Sequence, residues 1–186
     1  DGKGEALNGL DLAGFEEFRA KNDYWLDDFC LFCAIREVQE SPGWLQWPEP
    51  LRDCDPAALQ AFRDQNQTRL ARIRFEQFLF NHQWQALRDY ARGKGVLLFG
   101  DIPIFVAHDS ADVWANRHLF KLDAEGEPTV VAGVPPDYFS PDGQHWGNPL
   151  YNWQAMAEDG YQWWLERLES QRHLFDLIRI DHFREV

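Results

Sequence analysis

Arg179 and Asp181 stand two residues apart in FDLIRID (175–181), a short apolar run of strand character. Side chains alternate across a strand, so these two face one way while Ile178 and Ile180 face the other. With the isoleucines packed on helices, a buried guanidinium and a carboxylate project together to the opposite side. A guanidinium beside a carboxylate favours the charged form of the acid. A charged, held carboxylate is what covalent glycosyl transfer uses as its nucleophile. An ordinary structural Arg–Asp pair has the same spacing. VLLFGD (96–101) repeats the arrangement, with Leu97, Phe99 and Asp101 on one side and Asp101 at the carboxyl end. Alone, Asp101 reads equally as a turn or helix-cap carboxylate.

Other constellations are weaker. His108-Asp109 and Asp181-His182 suggest metal ligands, but there is no His-x-His and no His-Glu-x-x-His. No Gly-x-Gly-x-x-Gly and no Gly-Lys-Ser/Thr phosphate loop occurs, and Ser110 lacks a nucleophile-elbow context. Cys30 and Cys33 form C-x-x-C inside the apolar FCLFCAI, where two small helix residues are the plainer explanation. With Cys54 they make three cysteines, which supports no disulfide framework.

The secondary structure that carries these residues is read from periodicity. Asp11 caps a short helix bearing Phe15 and Phe18, and a second helix runs from Asp23 through Leu26, Phe29, Cys33 and Val38. SPGWLQWPEPLRDCDP is a loop by composition, with Trp44 and Trp47 either packed or offered to a ligand. Asp55-Pro56 opens one long helical stretch through Phe62, Leu70, Ile73, Phe80, Trp84, Leu87 and Ala91, ended by Gly93 and Gly95. VLLFGD reads as a buried parallel strand, KLDAEGEPTVV as a small hairpin, and 133–153 as a long Gly- and Pro-rich loop. A helix with Tyr161, Trp164, Leu165 and Leu168 then leads into the last strand. Helix, strand, loops, helix and strand follow βα-unit logic. The expected division is a helical insertion over 1–58 and part of a barrel over 59–186, including a substrate loop at 134–151.

The totals narrow the function classes. Lys plus Arg is 18 and Asp plus Glu is 31, a net charge of −13 that opposes binding to polyphosphates such as nucleic acid. No apolar run reaches the length of a membrane span. Of nine Trp, fourteen Phe and five Tyr much must be core, and aromatic faces are also platforms on which sugar rings stack. The start, without Met or signal core, and the end at RIDHFREV read as an internal piece of a longer cytoplasmic protein.

GDIPIFVAHDSADVWAN, TVVAGVPPDYFSPDGQHWGNPLY and FDLIRIDHFR resemble three consecutive signatures of the amylomaltase family of 4-alpha-glucanotransferases. FRAKNDYWLDDFCLFCAI and FNHQWQALRDYA resemble it as well. The resemblance implies an α/β fold, part of an α-amylase-like (β/α)8 barrel with about two of its strands present. It implies transfer of an α-1,4-glucan segment to a new 4-hydroxyl by a retaining double displacement, with no cofactor and no metal. In that pattern Asp181 is the nucleophile, Arg179 orients it, and Asp101 helps hold the arginine and the substrate. Tyr138 and Phe139 are an aromatic pair on a mobile loop beside Asp137, Trp146 and Asn148 contact sugar, and His182 lies near it. The partners implied are α-1,4-glucans and maltooligosaccharides.

The family's acid/base Glu and third catalytic Asp come later, so these 186 residues alone are expected to be inactive. Glu185 stands where many members carry a small residue. The rival classes are a non-catalytic glucan-binding module, a metal-dependent barrel hydrolase using Asp101, His108, Asp181 and His182, and a related glucan hydrolase or debranching enzyme.

Overall fold

A computed structural model of the chain describes residues 12–40, 43–136, 138 and 140–181. The first two helices are α1 (Leu12–Lys21) and α2 (Asp23–Gln39). α2 buries Leu26, Cys30, Leu31, Phe32, Ala34 and Ile35, the wide apolar stripe of a helix that meets neighbours on several sides. Trp44–Gln46 form a short 3-10 turn, followed by α3 (Glu49–Arg52).

The single long helix expected from Asp55 onward is two helices. α4 (Pro56–Gln65) starts where Asp55 accepts from the Ala58 N–H at 2.8 Å, and α5 spans Gln67–Gly93. Asn66 breaks the run: its amide turns back to donate to the Phe62 carbonyl at 3.0 Å. A short polar side chain that competes for backbone groups in this way favours a helix end. Apolar periodicity continues across Asn66 and conceals the break. Phe80 and Leu87, expected on the core side of α5, are exposed, while Phe78 is buried.

β1 (Phe99–Ile102) pairs in parallel with β4 (Leu177–Ile180), in the register Phe99↔Leu177, Gly100↔Ile178, Asp101↔Arg179 and Ile102↔Ile180. Between them come α6 (Ala111–Ala115), β2 (Val131–Val134), β3 (Gln144–Pro149), α7 (Trp153–Glu158) and α8 (Gln162–Leu174). The first strand was expected to be buried over 96–101. It starts later, and Val96, Leu97 and Phe99 are exposed, as are Leu177 and Ile180. Gly100 and Ile102 are buried and Ile178 is half-buried. A parallel strand is buried only when both its faces are covered. The described residues cover one face.

The segment 133–153 is more ordered than the loop its composition suggests. β2 and β3 form an antiparallel pair, and α7 begins at Trp153. Gly133 permits the pairing: a Cβ there would lie 2.4 Å from the Gln144 carbonyl oxygen. The small hairpin after Lys121 is present as a bridge between Leu122 and Pro128.

One apolar cluster runs from Phe18 in α1 to Met156 in α7. It crosses residue 58, so the helices before that point share a core with the remainder of the chain. Among the described residues, no helix is long and apolar enough to cross a membrane.

Candidate active site

The parallel register puts Asp101 directly opposite Arg179. Side chains at paired positions rise from the same face, so the two meet there, and Asp101 Oδ2 accepts from Arg179 Nη2. The same Nη2 lies 3.8 Å from Asp181 Oδ2. One guanidinium nitrogen is thus shared by two carboxylates at the carboxyl ends of neighbouring parallel strands. The hydrogen bond that Arg179 donates to Asp101 raises the affinity of Arg179 for its proton, with Asp181 adding to it. The guanidinium was expected to be buried and is not: the side chains of Arg179, Asp101 and Asp181 are 55%, 52% and 57% exposed. They stand on the uncovered face of the sheet, open to a ligand.

Three side chains given no site role in the sequence, of which Trp84 enters only the helix periodicity, hold this pair of strands. Trp84, Arg88 and Arg92 recur every fourth residue and form one stripe of α5. The Trp84 indole donates to the Leu174 carbonyl at 2.7 Å, and Arg88 donates to the carbonyls of His173 and Phe175 and to Asp176. Arg92 Nε reaches Asp176 Oδ1 at 2.7 Å. Asp176 Oδ2 in turn accepts from the Leu98 N–H at 2.9 Å. The available signal was an arginine recurring on the apolar face of a helix, which ordinary patterning leaves for solvent.

The β2–β3 hairpin carries the remaining candidates. Tyr138, between the strands, is 95% exposed. Trp146 rests 6.2 Å from the Phe105 ring, and its indole donates to Gln144 Oε1. The Asn148 amide donates to the Val106 carbonyl at 2.8 Å, tying the hairpin to the segment after β1. Asp137, Phe139, His182 and Glu185 lie outside the described residues, as does the proposed cap Asp11.

The competing features take structural places. Cys30 is fully buried, and burial pushes its thiol up to about 12, away from thiolate chemistry. Cys30, Cys33 and Cys54 are unbridged. His108 Nε2 is 2.8 Å from the Gly126 carbonyl, and Asp109 pairs with Arg36. Among the described residues, no three His, Cys, Asp or Glu side chains are grouped to hold a metal. Trp44 and Trp47 are 1% and 3% exposed, which makes them core.

Known proteins resemble this chain in sequence and in fold. A relative from Thermus thermophilus, named 4-alpha-glucanotransferase, is 48% identical over 170 residues, covering 91% of this chain and 34% of the relative. One of the same name from Streptococcus pneumoniae is 45% identical over 175 residues, 94% of this chain and 35% of its own. The chain spans about a third of the length of these curated relatives. The amylomaltase from Streptococcus agalactiae, solved in complex with acarbose, superposes with a TM-score of 0.86 at 36% identity, over 98% of this chain and 36% of that one. The fold is therefore part of the amylomaltase α/β barrel, with β1 and β4 as two adjacent barrel strands. A family model described as 4-alpha-glucanotransferase matches residues 4–186, and the chain belongs to that family.

Proposed function

We propose that the protein transfers a segment of an α-1,4-glucan to the 4-hydroxyl of a sugar acceptor, by a retaining double displacement in which Asp181 is the nucleophile. The observation that carries this is the shared Nη2 of Arg179 between Asp101 and Asp181 at the carboxyl ends of adjacent parallel strands. That is the end where barrel folds keep their catalytic side chains. In the first step an Asp181 oxygen attacks the anomeric carbon and the glycosidic C–O bond breaks. The aglycone oxygen takes a proton from a general acid, leaving a glycosyl ester on Asp181. In the second step an acceptor hydroxyl gives its proton to the same group and displaces Asp181. Arg179 keeps the carboxylate charged and directed, and Asp101 holds Arg179 from the other side.

Transfer rather than hydrolysis requires that a sugar reach the ester before water. The aromatic hairpin around Tyr138 and Trp146, with Asp137, Phe139 and Asn148, is proposed as the acceptor platform, and His182 as a further sugar contact. Residues 1–58 are proposed as a helical insertion that buttresses the barrel through the shared core. Cytoplasm is the proposed location; a potato relative is named chloroplastic/amyloplastic, so a plastid is the alternative that a localisation experiment distinguishes.

The test is disproportionation of pure maltotriose by the intact protein. Glucose together with longer maltooligosaccharides is the expected product pattern, and glucose with maltose alone would mean hydrolysis instead. Asp181→Ala is expected to lower turnover by at least about 10⁴-fold while leaving maltooligosaccharide binding in place. Loss of binding with no turnover to lose in the wild type would favour a binding module.

A further inference from the structure

Arg88 is the one charged residue buried as a whole among the described residues, at 8% exposure. A guanidinium buried this far needs its donors met. Its Nη1 donates to the His173 carbonyl, its Nη2 to the Phe175 carbonyl at 2.8 Å, and Nε and Nη2 to Asp176 Oδ1 at 3.2 and 3.1 Å. His173 lies in the last turn of α8 and Phe175 comes just after it, where a helix leaves carbonyls without internal partners.

Asp176, whose side chain is 5% exposed, carries the contact onward. Its Oδ2 accepts from the Leu98 N–H and its own N–H donates to the Leu98 carbonyl, both at 2.9 Å. This two-way bond sits immediately before the first pair of the ladder, Phe99↔Leu177. It sets which residue of β1 meets which residue of β4. A slip of one residue would send Arg179 to the opposite face of the sheet, away from Asp101.

We propose that Arg88 and Asp176 are positioning residues for the candidate catalytic set, locking the β1–β4 register that brings Arg179 between Asp101 and Asp181. The inference rests on the function proposed for those three side chains. A buried ion pair is a poor stabilising device, since well-packed apolar residues often do as well or better. Apolar residues could hold the α8–β4 turn. They could not give the Leu98 N–H an acceptor, and so could not choose the register. Catalysis is sensitive to such placement, because a shift of about 1 Å originating far from the chemistry costs on the order of 10²-fold.

The experiment uses the intact protein with Asp176→Asn and Arg88→Lys. Cys30→Ala, a core change on α2, serves as a control for lost stability alone. Both latch variants are expected to stay folded at the assay temperature. Their kcat for maltotriose disproportionation should fall on the order of 10²-fold, with KM within about threefold of wild type. The control should lose Tm and keep its kcat. A folded Asp176→Asn protein with wild-type kcat, or one whose KM rises as far as its kcat falls, overturns the proposal. If neither latch variant folds, Arg92→Gln decides, because Arg92 is the half-exposed arm of the latch. A drop in kcat there supports it and an unchanged kcat overturns it.

If the wild-type protein shows no glucan transfer, the proposed function fails separately. Hydrogen exchange at Leu98 then reads the latch by itself. Faster exchange in Asp176→Ala, which leaves the Leu98 N–H without its side-chain acceptor, supports the register lock and unchanged exchange refutes it.

Discussion

Arg179 offers one nitrogen to two carboxylates, and this sharing makes Asp101 more than a neighbour. Asp101→Asn would keep the shape and remove the charge that holds Arg179 on its outer side. The expected result is a fall in kcat on the order of 10²-fold with a smaller change in KM, measured by steady-state kinetics on maltotriose. Arg179→Lys should do comparable damage, because an ammonium is a point charge and does not reproduce the fixed fork of a guanidinium. The acid side of the stability profile has a residue-level cause as well. The Leu98 N–H, then Arg92 and Arg88, hold the Asp176 carboxyl below the usual carboxylate range. A carboxyl with a lowered folded value contributes stability that is present above its unfolded value, about 3.9. That stability is lost as the pH falls through the lowered folded value. Tm measured from pH 6 down to 3 should therefore fall less steeply for Asp176→Asn than for wild type.

At the scale of elements, the β2–β3 hairpin depends on two local permissions. Gly133 lets the strands approach, and a β-carbon there would sit 2.4 Å from the backbone oxygen of Gln144. Gly133→Val should force the strands apart and cost about 1–3 kcal/mol of overpacking. If Tyr138 and Trp146 form the acceptor platform, the ratio of transfer to hydrolysis should fall in the same variant, as product analysis would show. Asn148→Ala would untie the hairpin from Val106 with less strain and should move that ratio in the same direction. An unchanged product ratio in both variants would remove the hairpin from the acceptor side.

The whole molecule shows a sheet with one face uncovered among the described residues. Phe99 and its partner Leu177 are exposed on that face beside Asp101 and Arg179, and Val96, Leu97 and Ile180 are exposed around the two strands. Two strands make a weak sheet by themselves, and a contiguous apolar patch in water marks a surface that packs against something. The 186-residue chain produced alone is therefore expected to self-associate or bind an apolar dye. Light scattering together with dye fluorescence would show it. A monodisperse chain without dye binding would mean that the face is closed in a way the described residues do not show.

Much of this protein was legible in its amino-acid order. The alternation in FDLIRID, and the matching end of VLLFGD, placed Arg179, Asp181 and Asp101 on strand ends. The start of α2 at Asp23, the cap at Asp55, and the plain helix role of Cys30 also follow from local chemistry, which acts within a few residues. Four features emerged only in the structure: the break at Asn66, the hairpin inside a Gly-rich stretch, the exposure of Arg179, and the latch from Arg88 through Asp176 to Leu98. The break at Asn66 is made locally, by its bond to Phe62, and was hidden by the apolar periodicity that runs across it. The other three depend on groups brought together from outside the local run, or on whether another layer covers a face. Arg88 and Asp176 are 88 residues apart in the chain, and no periodicity links them. Types and spacing therefore settled which side chains could do chemistry, while long-range hydrogen bonding settled the register in which they meet.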